Sequence, residues 1–141
     1  RDNARTPMQW DDSDNAGFTT GKPWFRVSDR YKEINVKQAL ADKDSIFYYY
    51  KKLIELRHKE SLLTEGNYQL LLPEDEEIFA YLRNTENETW LIVANMSEDT
   101  VLTDKLKTFV NEKQDIIIGN YDRVNLDEAL RPYEAFMMRI K

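Results

Sequence analysis

The sequence contains no cysteine, which excludes a disulfide framework and any metal site built from thiolates. The lack of cysteine also fits a reducing compartment, so we expect a cytoplasmic location. No apolar run is long enough to span a membrane, and no signal-peptide pattern is present. The single histidine, His58, has no second histidine or cysteine with which to bind a metal. We interpret it as a solvated side chain near a helix end.

The familiar short catalytic motifs are missing as well. The chain has no glycine-rich phosphate loop, no Gly-x-Ser-x-Gly elbow and no His-Glu-x-x-His sequence. Among the 26 acidic residues, no two stand in a context that marks a hydrolytic pair flanking a cleft. The residues alone therefore predict no catalytic residue in this chain, and at most a loop that contacts a ligand.

Charge is distributed unevenly along the 141 residues. Residues 1–66 carry a net charge of +1, whereas residues 67–141 carry −7. The acidic second part argues against binding to nucleic acid or to an anionic membrane. The change of sign near Gly66 suggests two units, 1–66 and 67–141. Because the first methionine is Met8, we also expect that more protein precedes Arg1.

The most unusual stretch is the first one, Arg1–Trp10, with the sequence RDNARTPMQW. Its proline and its turn-forming residues disfavour a helix or strand. Its guanidinium groups donate hydrogen bonds, its side-chain amides donate and accept them, and its tryptophan offers an apolar face. These groups together suit a polyhydroxylated or anionic ligand. The alternative is a surface loop whose arginines pair with acids to hold its own shape. Residues 1–33 show no sustained period, so we interpret them as a long functional loop that needs a scaffold.

An acidic patch within this loop resembles the start of a calcium-binding loop. The segment Asp12–Gly17 begins like an EF-hand, but Ala16 stands where a third ligand belongs. Pro23 stands where the closing glutamate belongs. We therefore predict a solvated turn and no metal site here.

Helical periodicity is followed by strand-like segments. We predict a short helix over 34–41 and a longer one over 45–59, whose apolar stripe should pack against a larger body. The stripe consists of Ile46, Tyr49, Tyr50, Leu53 and Ile54. Beyond Gly66 we predict an antiparallel sandwich. Its strands are expected at 68–72, 78–83, 90–95, 100–102, 115–118 and 133–140.

Several segments together resemble the C-terminal part of family 13 glycoside hydrolases, in the subgroup that contains oligo-1,6-glucosidase, dextran glucosidase and trehalose-6-phosphate hydrolase. The resemblance is dense over the first 54 residues and looser in the predicted sandwich. Ser28-Asp29-Arg30 departs from the usual Asn-Pro-Asn-like turn. The matching segments are Arg1–Trp10, Asn15–Gly21, Pro23-Trp24, Tyr31–Val36, Asp44–Ile54 and Leu130–Ala135.

The resemblance implies an α+β fragment: the last loop and helix of a (β/α)8 barrel, followed by an antiparallel β-sandwich. Residues 1–66 would end the catalytic barrel and residues 67–141 would form the C-terminal domain. Arg1 would help to bind the non-reducing-end glucose, and Arg5 would lie near the same mouth, either binding substrate or supporting the loop. The catalytic acids and the family's calcium loop would lie upstream, so no cofactor or metal is implied for this chain.

The implied activity of the parent protein is that of a retaining exo-α-glucosidase acting on α-1,6-linked gluco-oligosaccharides. Trehalose-6-phosphate hydrolase and sucrose isomerase remain alternatives, because the resemblance implies that linkage preference is set upstream. A non-catalytic sandwich that serves as a binding or structural module is the alternative of another class. The expected partners are the substrate and the rest of the barrel.

Overall fold

The computed structural model describes residues 3–110, 115–122, 126 and 129–141. The chain divides into two compact units, Arg1–Glu55 and Leu56–Lys141. Among the described residues, no helix has both the length and the apolar character needed to cross a bilayer. Arg1 lies outside the described residues.

The first unit is dominated by irregular chain, as its turn-rich sequence predicts. Three short 3-10 turns lie at Asn3–Arg5, Asp14–Gly17 and Asp29–Lys32. Helix α1 follows at Val36–Ala41 and confirms the predicted short helix. It begins where the Asn35 side chain accepts a hydrogen bond from the amide of Gln38, at 2.9 Å. That contact satisfies one of the free donors of the first helical turn.

Helix α2 spans Ile46–Lys59 and confirms the longer predicted helix. His58 is exposed in its last turn, as expected. The predicted apolar stripe is only partly covered: Tyr49 and Leu53 are half-buried, but other members lie open. The exposed members are Ile46 at 84%, Tyr50 at 64% and Ile54 at 48%. They follow one another at intervals of four residues, so they share one helix face.

A short helix that the periodicity did not predict, α3 at Ser61–Glu65, precedes the sheet. The Arg83 guanidinium donates to the carbonyls of Leu62 and Leu63, at 3.3 and 3.2 Å. The Leu62 carbonyl also accepts from the Gly66 amide at 3.1 Å, and the Leu63 carbonyl lies in the last turn of α3, where backbone acceptors lack helical partners. These hydrogen bonds therefore link α3 to the strand that contains Arg83. The buried side chain of Leu62 adds an apolar contact.

The second unit is an antiparallel two-sheet domain, which confirms the predicted sandwich. The larger sheet has the order β1-β2-β3-β7-β5 and the smaller one pairs β4 with β6. Among the strands in the described residues, the two-residue strand β6 alone was not predicted, because two residues cannot show an alternating pattern. The strands are β1 Asn67–Leu71, β2 Ile78–Asn84, β3 Thr89–Asn95, β4 Val101–Leu102, β5 Asp115–Gly119, β6 Ala129–Leu130 and β7 Ala135–Arg139.

The core of this domain lies between the two sheets. Alternate residues of the central strands point inward, as the period of two requires. The larger sheet contributes Ala80, Leu91, Val93, Phe136 and Met138, and the smaller sheet contributes Val101 and Leu130. The core therefore depends on side chains from both sheets, which is the defining property of a sandwich.

An ion pair between the buried Glu134 and the partly exposed Arg131 shapes the turn before β7. Glu134 is 2% exposed and accepts three hydrogen bonds from Arg131, from its amide at 2.8 Å and from its guanidinium at 3.0 and 2.9 Å. Burial alone would raise the pKa of Glu134, but the hydrogen bonds from Arg131 outweigh it and lower the pKa. The guanidinium also lies over the Tyr121 ring, 4.0 Å from its centroid.

We expect Glu134→Gln to lower the free energy of unfolding by about 2 kcal/mol at pH 7, because it removes the charge that Arg131 faces. Since the folded state depresses the Glu134 pKa, the stabilisation is present at neutral pH and is lost as the pH falls below about 4. The difference between variant and wild type should therefore shrink in acid. Urea denaturation at pH 7 and at pH 3 measures it.

The matched control for this variant is Glu98→Gln, because Glu98 is exposed. It should leave the free energy of unfolding within about 0.5 kcal/mol of wild type. Equal destabilisation by the two variants would show that the ion pair contributes nothing specific.

Candidate functional site

The long loop of the first unit is closed by backbone hydrogen bonds to the start of α1. The amide of Val36 donates to the carbonyl of Gln9 at 2.9 Å, and the amide of Lys37 donates to the carbonyl of Trp10 at 3.0 Å. The Gln9 side chain also donates to the carbonyl of Ile34. These bonds bring the two ends of the loop together and leave its middle, residues 11–35, to fold over itself.

A tight left-handed turn occupies the first part of that loop. Asn15, Ala16 and Gly17 all have positive φ, at 55°, 58° and 65°. The carbonyl of Ala16 accepts from the amides of Trp10 and Asp11, at 2.9 and 3.3 Å. Ala16 itself is fully buried. Three successive left-handed residues are costly unless the surrounding contacts hold them, and these contacts do so.

The acids of this turn serve its own geometry. The Asp11 carboxylate accepts from the Ser13 hydroxyl and from the Ser13 amide, and both contacts lower the pKa of Asp11. The Asp12 carboxylate pairs with the Lys37 ammonium at 2.8 Å, which lowers the pKa of Asp12 and raises that of Lys37. Asp11 thus stabilises the turn, and Asp12 ties it to α1. Across the part of the chain that the structure describes, no three acidic or histidine side chains gather in a metal-binding group.

Arg5 precedes the closed loop in sequence and lies over an aromatic ring that belongs to the loop. Its guanidinium carbon is 4.7 Å from the centroid of the Phe25 ring. The side chain of Arg5 is exposed, and Phe25 is half-buried beneath it. Trp24 stacks beside Phe25, with centroids 6.5 Å apart, and is itself 95% exposed. The arrangement combines a cation with two aromatic surfaces, one of which is almost entirely open.

An open cavity of about 460 Å³ adjoins Phe25. Its polar lining includes the ion pair between Arg26 and Asp29. Such a cavity offers donors, acceptors and an aromatic wall, which together suit a hydroxyl-rich ring. The lining residues are Thr6, Phe25, Arg26, Val27, Ser28, Asp29 and Arg30.

Of the two residues predicted to bind substrate, the structure describes Arg5 and not Arg1. The exposed guanidinium of Arg5 is compatible with both readings of the sequence, ligand contact and loop support. Sequence reasoning missed Phe25 as its neighbour. The available signal was a phenylalanine next to a tryptophan in a loop that also holds an arginine, but sequence patterns do not reveal a contact between positions as far apart as Arg5 and Phe25.

Comparison with known proteins decides the family. The α-amylase catalytic domain matches residues 1–66, and the maltogenic amylase C-terminal domain matches residues 68–114. The chain belongs to the α-amylase family, family 13 of the glycoside hydrolases. This confirms the resemblance that the sequence segments suggested, and it assigns the loop to the catalytic domain of the α-amylase family.

Relatives within the α-amylase family are similar over nearly the whole chain. An oligo-1,6-glucosidase of Heyndrickxia coagulans is 50% identical over 135 residues, which are 96% of this chain and 24% of that protein. The trehalose-6-phosphate hydrolase of Escherichia coli K12 is 44% identical over 138 residues, or 96% of this chain and 25% of that protein. The chain therefore spans about a quarter of the length of the relatives it matches.

Solved structures of the family share the fold. The trehalose-6-phosphate hydrolase of Bacillus licheniformis superposes with a TM-score of 0.85 at 39% identity, covering 98% of this chain and 26% of that one. The isomaltulose synthase of Klebsiella sp. LX3 gives a TM-score of 0.84 at 35% identity, covering 99% of this chain and 26% of that one. The end of an α-amylase-type catalytic domain and an antiparallel C-terminal domain are thus the correct architecture.

We expect Gly17→Ala to destabilise the loop by about 1–2 kcal/mol, because an L-residue is strained at its positive φ. A Cβ on Gly17 would also stand 2.7 Å from a carboxylate oxygen of Asp11. Gly21→Ala is the matched control, because its Cβ would meet nothing closer than the Thr19 hydroxyl at 3.7 Å. Urea denaturation of both variants measures the difference, and equal stability would mean that the left-handed turn does not constrain the fold.

Proposed function

We propose that this chain is the C-terminal part of a retaining exo-α-glucosidase that hydrolyses α-1,6 bonds of isomalto-oligosaccharides. The oligo-1,6-glucosidase at 50% identity carries the proposal. Residues 1–66 end the catalytic barrel and 67–141 form the C-terminal domain, a boundary supported by the two family matches. The location is cytoplasmic, in keeping with the lack of cysteine.

The part of this chain in catalysis is to bind substrate. Loops that follow barrel strands carry the active sites of such enzymes, so the loop over residues 1–33 borders the cleft. Arg1 and Arg5 donate charge-assisted hydrogen bonds to glucose hydroxyls. The nucleophilic carboxylate and the acid/base carboxylate come from the preceding barrel, and they form and hydrolyse a covalent glucosyl intermediate.

The rest of the barrel is the partner that the first unit requires. Besides the open face of α2, an apolar hollow of about 400 Å³ lies between the first segment and the two helices of this unit. Three of its lining side chains are roughly half exposed: Met8, Ile34 and Phe47. Burying apolar surface of this kind stabilises a protein by about 25 cal/mol per Å², which favours a covering layer.

Trehalose-6-phosphate hydrolysis is the second candidate, because relatives with that name reach 44% identity and the same fold. Turnover of isomaltose against trehalose 6-phosphate by the enzyme that carries this chain separates the two. We expect isomaltose to be preferred, and the reverse preference would assign the enzyme to the second activity.

We expect the 141-residue chain by itself to show no turnover of p-nitrophenyl α-glucoside, because the catalytic acids lie outside it. The enzyme that contains the chain serves as the positive control in the same assay. Hydrolysis by the isolated chain above the blank rate would place catalytic acids within these residues.

In the full enzyme, Arg1→Ala should lower kcat/KM at least about tenfold, since a hydrogen bond from a charged group contributes roughly 1.5–3 kcal/mol. The control is Lys52→Ala, which removes an exposed basic side chain from the face of α2 opposite Ile46, Tyr50 and Ile54. Its kcat/KM should match wild type. An unchanged value for Arg1→Ala would remove Arg1 from the binding site.

A further inference from the structure

We propose that Phe25 is a positioning residue that acts through Arg5: its ring holds the guanidinium in place, so that the N–H donors of Arg5 stay directed to a bound sugar. This inference rests on the proposed function and names a residue that the family resemblance did not single out. It concerns the loop of the first unit only.

Arg5 and Phe25 form a cation–ring contact. The Arg5 guanidinium carbon lies 4.7 Å from the Phe25 centroid, within the distance at which a ring attracts a cation. A guanidinium that lies over a ring keeps its N–H donors free at the edge, because the ring occupies only a face. Phe25 thus fixes the position of Arg5 without using the donors that a ligand needs.

The Arg5 side chain has few other contacts among the described residues. The ring contact is the interaction that the structure records for this side chain among the described residues. Another arginine of this loop, Arg26, instead forms an ion pair with Asp29. No carboxylate among the described residues pairs with Arg5, and an exposed arginine with many rotamers gains most from a support that limits them.

The Phe25 ring that supports Arg5 also borders a cavity. Phe25 is half-buried and lines the cavity of about 460 Å³ together with the Arg26–Asp29 pair and Thr6, the residue that follows Arg5. A sugar in this cavity would meet the Phe25 ring and the Arg26–Asp29 pair, and the same ring supports the Arg5 guanidinium. Ligand binding would thus depend on where Phe25 holds Arg5, whereas bond cleavage would depend on acids elsewhere.

The test is a double-mutant cycle in the full enzyme with isomaltose as substrate. Phe25→Leu keeps an apolar side chain but removes the ring, and should raise KM about two- to fivefold with kcat nearly unchanged, the size expected for an exposed cation–ring contact. Phe25→Tyr keeps the ring and should restore the wild-type KM. In an Arg5→Ala background, Phe25→Leu should have no further effect on KM.

Phe79→Leu is the matched control, because Phe79 is a half-exposed ring on β2 of the other unit. It should leave KM and kcat at their wild-type values. The inference is overturned if Phe25→Leu leaves KM unchanged, if Phe25→Tyr fails to rescue it, or if the effects of Phe25→Leu and Arg5→Ala simply add. Lack of isomaltose turnover by the wild-type enzyme would instead overturn the proposed function itself, and this inference with it.

Discussion

The first unit depends on the backbone pairing of Gln9 and Trp10 with Val36 and Lys37. Two amide–carbonyl bonds close a loop of about 25 residues, whose closure costs entropy that grows only slowly with length. Every feature of the candidate site lies on or beside the closed loop: the left-handed turn, the Arg5–Phe25 contact and the cavity. Without this pairing the aromatic residues of the loop would have no fixed positions, and the arginine would have no ring to lie on.

The second unit is stabilised differently, by apolar side chains buried between its two sheets and by a few ion pairs with well-placed hydrogen bonds. Trp90, 1% exposed, donates its indole N–H to Glu88 at 2.7 Å, and Glu88 also pairs with Arg139 at 2.7 Å. Glu134 and Arg131 form the corresponding arrangement before β7. A buried acid of this kind contributes mainly by leaving no polar group unpaired, so its removal costs more than the net value of the pair.

The sequence was informative where a pattern repeats. The helix over 45–59 and the strands from 78 to 95 were predicted closely, because their apolar residues follow the periods of 3.6 and 2. The two-residue strand at Ala129–Leu130 and the five-residue helix at Ser61–Glu65 were missed, because such short elements are created by the contacts around them. The contact between Arg5 and Phe25 was missed for a related reason: it joins distant loop positions, and loops carry no period.

The open face of α2 affects how the free chain behaves in solution. Ile46, Tyr50 and Ile54 form a ridge that is exposed to water in the part of the chain that the structure describes. A contiguous exposed apolar surface attracts other apolar surfaces, including those of identical molecules. The isolated chain should therefore bind environment-sensitive dyes such as ANS and associate as its concentration rises. Because of this ridge, residues 1–54 are poorly suited to fold as an independent domain. The same ridge offers an apolar interface through which this chain could associate with a complementary fragment.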